Sequence, residues 1–269
     1  MNEKDAQFAG SIPTAYDKYL GPMFFVPYAE DLAARLNVPE QSSVLEVACG
    51  TGILTRILRD RLPASAKLIA TDLNEPMFRV AAAKFSPDDA VEWKQADACS
   101  LPFGDRLFDA VVCQFGFMFV PDKTLCAREA RRVLKPGGTF LFNVWDSLAE
   151  NPLGRVAHET IASFFEKDPP LFFQVPFGYH DHDEIKRVLE AAGFRDVRLD
   201  VVSKTSRPTR AEDAAVGLVQ GSPVSAAIAE RDAALFPVIT HAVTEALKKE
   251  FGGTPFRAPQ RAIVIEARA

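Results

Sequence analysis

The sequence lacks the features that mark membrane-spanning, secreted and metal-binding proteins. No uninterrupted apolar run in its 269 residues approaches the length of a membrane-spanning helix, and the polar start MNEKDAQF does not resemble a signal peptide. Its four cysteines form no CxxC pair and show no ligand-like spacing with the four histidines. We therefore expect a cytoplasmic protein with no metal site and no membrane span, in which Cys49, Cys99, Cys113 and Cys126 are small buried residues in a reducing compartment.

An excess of positive charge is also missing. The formal net charge is −5, whereas proteins that follow a nucleic-acid backbone usually present a basic face. One basic cluster, Arg128, Arg131, Arg132 and Lys135, falls on a single predicted helix, where a solvated face explains it. Hydrophobic residues at 48% and charged residues at 25% are typical of a soluble globule. We expect a small-molecule partner rather than a nucleic acid, and the oligomeric state, monomer or homodimer, stays open.

The stretch VLEVACGTGILTRIL, residues 44–58, organises the chain. An apolar strand ends at Val47, Gly50 and Gly52 allow a turn, and the apolar period then changes from two to 3.6. Glycines at such a junction let a ligand approach the backbone N–H groups at the start of a helix. A tight strand-to-helix connection without a ligand is the alternative for this stretch taken alone.

Acidic residues follow the next two predicted strands. KLIATD (67–72) ends at Asp72, twenty residues after Gly52, where a doubly wound fold places a carboxylate against ribose hydroxyls. VEWKQAD (91–97) ends at Asp97, which in isolation also suits a helix cap or a turn. Ligands of open parallel sheets bind outside the carboxyl ends of the strands, so both acids are expected at one crevice.

The remaining pattern extends a parallel sheet and interrupts it twice. FDAVVCQFGFMFV (108–120) and TFLFNVWD (139–146) are predicted as strands four and five, separated by a helix that KPGG ends. We expect six segments: an N-terminal helical extension (1–40), a ligand-binding core (41–146), a substrate-side insertion (147–180), a core helix and strand (181–204), a helical lid insertion (205–259) with a break at Pro237, and a final core strand (260–269).

Together these segments resemble a class I S-adenosylmethionine (SAM) dependent methyltransferase. Four matches carry the resemblance: EVACGTG (46–52), Asp72, QADACSLPF (95–103) and RRVLKPGGTF (131–140). One departure is Ala48, where the family often has glycine; alanine still permits a fairly close approach. The chain is most similar to the ubiquinone/menaquinone-biosynthesis-like branch, which acts on small molecules.

The resemblance implies a Rossmann-like, doubly wound α/β sheet of seven strands, the last antiparallel. It implies SAM as the methyl donor, S-adenosylhomocysteine as the product, and Asp72 on the ribose with Asp97 and Ala98 at the adenine amino edge. Glu46, Ala48, Gly50 and Gly52 would surround the methionine part, with Gln114 and Phe115 beneath it, and Tyr19, Leu73 and Met77 would also contact SAM.

The acceptor side is expected in segments outside the core. Substrate contacts are expected at Tyr19, Phe25, Phe117, Met118, Trp145, Phe173 and Phe177, and the 21 phenylalanines agree with an apolar or aromatic acceptor as well as with a phenylalanine-rich core. In-line displacement at a sulfonium needs mainly alignment, so a base is required only if the acceptor must lose a proton. His180 is our candidate for that base, with an exposed or structural histidine as the alternative.

Two other functions are compatible with the sequence. A glycine turn followed by an acid also suits an NAD-dependent oxidoreductase, although the third glycine of GxGxxG is missing. A methyltransferase-like binding module that has lost turnover would look the same, because the chemistry has no obligatory catalytic side chain.

Overall fold

The computed structural model describes residue 8 and residues 10–207, 209–252 and 255–269. The chain divides into two compact units. One contains residues 29–145, 179–202 and 262–269 and holds most of a β-sheet; we call it the sheet unit. The other contains the described residues up to 28 together with 146–178 and 203–261, and we call it the helical unit.

A seven-stranded sheet organises the sheet unit. The strands are β1 (Ser43–Val47), β2 (Lys67–Asp72), β3 (Val91–Gln95), β4 (Phe108–Gln114), β5 (Leu134–Trp145), β6 (Arg195–Thr205) and β7 (Pro259–Arg268). Their order is β3-β2-β1-β4-β5-β7-β6, with β1 to β5 pairing in parallel and β7 running antiparallel to β5. The predicted fold class is confirmed. Because the order reverses at β1, the crevice for a ligand lies beyond the carboxyl end of this strand.

Helices occur in both units, and some of them pack on the sheet within the sheet unit. The described helices are α1 (Ile12–Ala15), a π-helical segment (Tyr16–Phe25), α2 (Val26–Arg35), α3 (Ile53–Arg61), α4 (Glu75–Ala82), α5 (Lys123–Val133), α6 (Pro152–Ala162), α7 (His182–Ala191), α8 (Ala211–Gln220), α9 (Val224–Asp232) and α10 (Leu235–Phe251). On one face, side chains of α2 and α3 such as Leu32 and Leu58 pack with Val44 and Leu141 of the sheet. On the other face, the rings of Phe140 and Phe142 stack at 4.6 Å between their centroids. Burial on both faces explains the nearly continuous apolar runs of the central strands.

Two predicted bounds differ from the structure. The KPGG segment does not end the preceding element before a separate strand, because β5 already begins at Leu134 and carries Pro136 through Gly138. Proline fits there since β5 makes its regular pairs with β4 only from Thr139 onward, after an irregular register. The sequence predicts Pro27 as a first helical residue within the N-terminal extension, but helical structure already begins at Ile12 and continues without a break into α2.

Within the helical unit, α10 packs against α6 and α8, and α8 packs against the π-helical segment. Pro22 lies inside that segment, and the N–H of Val26 bonds the carbonyl of Gly21, five residues earlier. Because proline cannot donate a backbone hydrogen bond, the wider winding is a local way to accommodate it. Pro237, predicted as a break, stands in the first turn of α10, where a missing N–H costs little.

Across the described parts of the chain, no helix is both long and apolar enough to cross a membrane. Those same parts contain no group of three or more His, Cys, Asp or Glu residues placed to hold a metal ion.

Candidate nucleoside-binding site

The turn after β1 combines three residues in the left-handed backbone region. Residues 48–52, which we call the glycine turn, include Ala48 at φ +53°, Gly50 at φ +56° and Gly52 at φ +78°. A side chain at Gly52 would lie 2.9 Å from the Cβ of Ala81 in α4, so this glycine also permits close helix packing. Alanine in the left-handed region carries backbone strain that glycine avoids. This strain is a physical reason why the family that the sequence resembles often has glycine at the position of Ala48.

Asp72 is joined to the glycine turn by its carboxylate. Its Oδ2 accepts the N–H of Gly50 at 2.8 Å, and its Oδ1 accepts the N–H of Asn74 at 2.8 Å. Burial raises the pKa of this carboxyl, which is only 6% exposed, and the backbone N–H bonds oppose the rise. The Asn74 side chain and the Leu73 backbone also interact with this carboxylate. A carboxylate held in this way at the end of a strand presents hydrogen-bond acceptors that suit a pair of ligand hydroxyls.

Glu46 lies within β1, one strand away from Asp72. Its side chain is 1% exposed, and its Oε2 has no hydrogen-bond partner. Burial raises the pKa of this carboxyl to about 8, and repulsion from the Asp72 carboxylate acts in the same direction. A buried carboxyl with an unused oxygen is suited to a cationic ligand group, since such a group would favour its charged form.

Apolar side chains flank these acids. The Cε of Met77, which is buried, would lie 3.5 Å from a Cβ placed on Gly50. Leu73 directly follows Asp72 and is 54% exposed, which is unusual for a leucine at the end of a buried strand. An exposed apolar side chain beside a buried carboxylate suits the flat face of a nucleobase.

The second acidic strand end is less enclosed. Asp97 is exposed, and its Oδ1 accepts the N–H of Cys99 at 2.8 Å. Ala98 is half-buried. Because Asp72 pairs with Gln95 in adjacent strands, the two acids lie at neighbouring strand ends, as expected from the sequence. We call residues 97–103 the acidic loop.

On the other side of β1, the end of β4 turns sharply. Phe115 has φ +49°, and its ring stacks on Trp145 with centroids 3.9 Å apart and an interplanar angle of 11°. The half-buried Gln114 pairs in register with Asn143 of β5. These residues therefore form one aromatic and polar surface at the ends of β4 and β5.

Sequence reasoning missed two residues that shape this turn. The fully buried Asn143 accepts the N–H of Phe115 with its side-chain Oδ1 at 3.0 Å, and a lone amide inside the apolar run FLFNVW was the available signal. A Cβ on Gly116 would lie 2.4 Å from the Cβ of Ala48, so the glycine turn and the end of β4 leave no space for a side chain there. The glycine in QFGF is visible in the sequence, but its partner is not.

The residues predicted to contact the acceptor are divided between the two units. In the sheet unit, Phe117 packs on Phe142 with centroids 4.8 Å apart, and Met118 is buried. His180 is half-buried and precedes Asp181, the residue that caps α7. Within the described part of the chain, no hydrogen bond or ion pair joins this imidazole to Glu46, Asp72 or Asp97, so its role as a base stays a prediction.

In the helical unit, Tyr19 is half-buried and lines a cleft of about 200 Å³ with Lys18 and Arg207 among its neighbours. Phe25 stacks on Tyr16 with centroids 4.7 Å apart. Phe173 and Phe177 are buried, the latter against Gly154 of α6. Of these four residues, Tyr19 has the most exposed side chain, and the three phenylalanines pack within the unit. The substrate roles of all four stay predictions.

All four cysteines are buried, as expected from the sequence, but two of them are paired, which was not expected. Cys99 and Cys126 form a disulfide, while Cys49 and Cys113 are free and buried. The paired residues are 27 positions apart, and only the packing of the acidic loop on α5 brings their Cα atoms to 4.0 Å. Cysteine spacing could not reveal that contact.

The residues present fit an adenosine with a charged amino-acid tail. The unpartnered Glu46 oxygen suits an ammonium group, the Asp72 carboxylate suits a pair of hydroxyls, and Leu73 offers an apolar face. These features lie towards the carboxyl ends of the neighbouring strands β1 and β2, in the order in which an extended nucleoside conjugate would meet them.

Comparisons with known proteins agree on one class. Residues 45–142 match a family described as a methyltransferase domain. The chain is 28% identical over 214 residues to the demethylmenaquinone methyltransferase of Staphylococcus carnosus (strain TM300), across 73% of this chain and 87% of that protein. It is 30% identical over 178 residues to the enzyme of the same name from Staphylococcus aureus (strain JH9), across 61% of this chain and 72% of that protein.

A solved structure supports the fold. Phosphoethanolamine N-methyltransferase 2 of Haemonchus contortus, solved in complex with S-adenosyl-L-methionine, superposes with a TM-score of 0.62 at 15% identity. The superposition covers 100% of this chain and 60% of that chain.

Proposed function

Because the chain belongs to the class I SAM-dependent methyltransferases of the quinone-biosynthesis type, we propose that it transfers the methyl group of SAM to a small, quinone-like acceptor. The observation that carries the proposal is the Asp72 carboxylate, fixed between the N–H groups of Gly50 and Asn74 at the point where the strand order reverses. The name shared by the two staphylococcal relatives supports an acceptor with a demethylated quinone ring.

The cofactor residues have distinct tasks in this proposal. Asp72 would accept both ribose hydroxyls, Glu46 would face the ammonium group, and Asp97 with the Ala98 backbone would read the adenine edge. Leu73 and Met77 would pack on the adenosine, and the glycine turn, residues 48–52, would make room for the amino-acid tail. When bound, SAM supplies a methyl group already activated on a sulfonium.

The rest of the chain would align and enclose the reacting atoms. Effective molarity from alignment is worth about 7 to 11 kcal/mol in well-oriented reactions, so no strong acid or base is needed for the displacement itself. The stacked rings of Phe115 and Trp145 would exclude water and tolerate the positive sulfonium. If the acceptor must lose a proton, His180 is our candidate to receive it.

Labelled methyl transfer tests the proposal. Purified protein is incubated with methyl-labelled SAM and a short-chain demethylated naphthoquinone, reduced and oxidised in separate samples, and products are identified by mass spectrometry. We expect one methyl group per acceptor, and saturable SAM binding with no NADH binding in calorimetry. SAM binding without transfer to the quinone or to a cell extract would favour the inactive binding module.

An Asp72→Asn variant is the control for cofactor dependence, since it keeps the side-chain shape and removes the charge. A His180→Asn variant asks whether a base is used. If transfer by this variant keeps its rate and pH profile, His180 is not the base.

A further inference from the structure

The disulfide joins the acidic loop, residues 97–103, to α5. Cys99 is the third residue of the loop and Cys126 stands in α5, with their Cα atoms 4.0 Å apart. The N–H of Cys99 donates to Asp97 Oδ1 at 2.8 Å, so the bonded cysteine also holds the aspartate side chain. The covalent bond is therefore placed two residues from the carboxylate that we assign to the adenine.

Other contacts attach the far half of the same loop. Glu129 Oε2 accepts the N–H of Leu101 at 2.9 Å. The guanidinium of Arg132 donates to the carbonyl oxygens of Leu101 at 3.0 Å and Phe103 at 2.8 Å. These bonds do not depend on the redox state. A reduced Cys99 thiol can still donate to the carbonyl oxygen of Asp122, 3.6 Å from its sulfur. Breaking the disulfide would thus loosen the half of the loop that carries Asp97 and leave the half from Leu101 onward in place.

The two free cysteines, Cys49 and Cys113, are unreactive towards external thiols and disulfides. Burial raises the pKa of the Cys49 thiol well above its ordinary value and raises the pKa of Cys113 to about 12. Since the thiolate is the reactive form, both thiols stay inert near neutral pH. Cys99 is 9% exposed and Cys126 2%, so an external thiol reaches Cys99 first.

We propose that Cys99 and Cys126 form a redox modification site that controls the affinity for SAM by fixing or releasing the Asp97 half of the acidic loop. The inference rests on the proposed adenine contact of Asp97. In a reducing compartment the pair would be two thiols, and oxidation would close the bond.

The chemistry is thiol–disulfide exchange with a small dithiol. A thiolate of the dithiol attacks Cys99 Sγ, the bond between the two protein sulfurs breaks, and Cys126 leaves as a thiolate that takes up a proton. The second thiol of the reagent then attacks the mixed disulfide and releases Cys99 as a thiol. Two electrons and two protons pass to the protein, and the reagent becomes a cyclic disulfide. Oxidation by a small-molecule disulfide is the reverse exchange and yields two molecules of reduced thiol.

The closed form should bind SAM more tightly because its loop is already ordered. We expect about a fivefold difference in the SAM dissociation constant, the low end of typical coupling between sites, since Glu129 and Arg132 retain part of the loop. Coupling is reciprocal, so saturating SAM should raise by the same factor the ratio of reduced to oxidised dithiol needed to open half of the bonds.

The test prepares one batch of full-length protein with glutathione disulfide and another with dithiothreitol, each then freed of reagent. Alkylation under denaturing conditions should count two thiols in the first batch and four in the second. SAM affinity is measured by calorimetry, and exchange of the 97–103 amides by hydrogen–deuterium exchange. Cys126→Ser should bind SAM as the reduced batch does in either reagent. Glu129→Gln, which weakens a redox-independent attachment, should keep the difference between batches.

Each outcome has one meaning. Four thiols after oxidation, or equal SAM affinity and equal loop exchange in both batches, overturns the switch. If hydrogen–deuterium exchange of the 97–103 amides differs between the batches while SAM affinity is equal, the state of the loop does not control SAM binding through Asp97. That result also overturns the switch. Absence of SAM binding in both batches would instead contradict the cofactor site and, with it, the switch. A fivefold difference that Cys126→Ser abolishes supports it.

Discussion

The glycine turn, residues 48–52, and the acidic loop, residues 97–103, follow neighbouring parts of one sheet edge but are built differently. Asp72, which secures the turn, is 6% exposed and accepts two backbone N–H groups from outside its own strand. Asp97 is exposed, and its side chain accepts the N–H of Cys99, only two residues further along the chain. The first acid is part of the folded core, whereas the second depends on how its loop is attached. We therefore predict that substitutions in the glycine turn lower the free energy of unfolding, and that substitutions in the acidic loop leave it nearly unchanged.

Asp72→Asn should have the largest effect. An amide can accept one of the two N–H groups but places an NH₂ against the other, and the two ribose hydroxyls lose a charged acceptor. Hydrogen bonds to charged groups are worth about 1.5 kcal/mol or more each, so SAM affinity should fall roughly a hundredfold. Calorimetry measures the loss of SAM affinity, and thermal unfolding measures the loss of stability caused by the mispaired N–H group. Asp88→Asn, a change at an exposed acid, is the control. Unchanged SAM affinity in Asp72→Asn would remove the distinction between the two acids.

Gly116→Ala should be the next most damaging change. The new Cβ would lie 2.4 Å from Ala48 and 2.9 Å from the Sγ of Cys113, and such overpacking costs about 1 to 3 kcal/mol. Ala48→Gly removes one of these neighbours and relieves a positive φ, so alone it should be neutral or stabilising by about 1 kcal/mol. The two changes should therefore couple.

Denaturant unfolding of the single and double variants measures that coupling as a double-mutant cycle. We expect Ala48→Gly to recover part of the loss caused by Gly116→Ala, with the Cys113 contact accounting for the remainder. Gly104→Ala is the matched control because its Cβ would meet its nearest neighbour at 3.7 Å. Additive effects at positions 48 and 116 would show that the turn is less tightly packed than the distances imply.

Glu46 makes the stability of the ligand-free protein depend on pH. Burial, the largest cause, raises the pKa of this carboxyl from 4.5 in the unfolded chain to about 8 in the folded one; the Thr55 hydroxyl opposes this rise and the nearby Asp72 charge adds to it. The folded state therefore holds a proton that the unfolded state has released. Its stabilisation is complete below about pH 4.5 and is lost as pH rises towards 8, by about 1.4 kcal/mol per pKa unit of difference.

Unfolding free energies of the wild type and Glu46→Gln, measured from pH 5 to 8 without SAM, test this slope. Glutamine is neutral throughout, so the wild type should lose on the order of 2 to 4 kcal/mol relative to the variant across that range. Both proteins retain Asp72, which removes its own contribution from the difference. Parallel curves would mean that Glu46 is already charged in the folded state.

The glycine turn was predictable from sequence because its signals are local. The change of period at Gly50 and Gly52, and the position of Asp72 at the end of an apolar strand, are read from consecutive residues. Parallel pairing of the first five strands then follows from alternating strands and helices, whereas the antiparallel last strand was implied only by the family resemblance.

The attachments between segments could not be predicted. The Cys99–Cys126 contact and the fit of Gly116 against Ala48 join residues far apart in sequence, and no periodicity encodes them. The winding of residues 16–25 around Pro22 was missed because the apolar period of an α-helix does not describe a π-helical segment. Roles at the acceptor side rest on segments outside the motifs, and for them the sequence offers only composition.

Asp97 should show the smallest effect, and its two substitutions separate charge from hydrogen bonding. Asparagine keeps an oxygen that can accept the adenine amino group, so Asp97→Asn should weaken SAM binding only about threefold, whereas Asp97→Ala should weaken it about tenfold, close to 1.4 kcal/mol. Neither should change the unfolding free energy by more than about 0.5 kcal/mol, because the residue is exposed.

The sharper readout for Asp97 is discrimination between S-adenosylhomocysteine and its deaminated inosine analogue. The analogue lacks the amino donor, so the wild type and Asp97→Asn should prefer the adenine compound and Asp97→Ala should bind both alike. If Asp97→Ala keeps the preference, the amino edge is read elsewhere, and the acidic loop differs from the glycine turn in function as well as in burial. If Asp97→Ala loses the preference and keeps the unfolding free energy of the wild type, the two strand ends have different roles. Asp72 then maintains the fold and the ribose contact, and Asp97 selects the base.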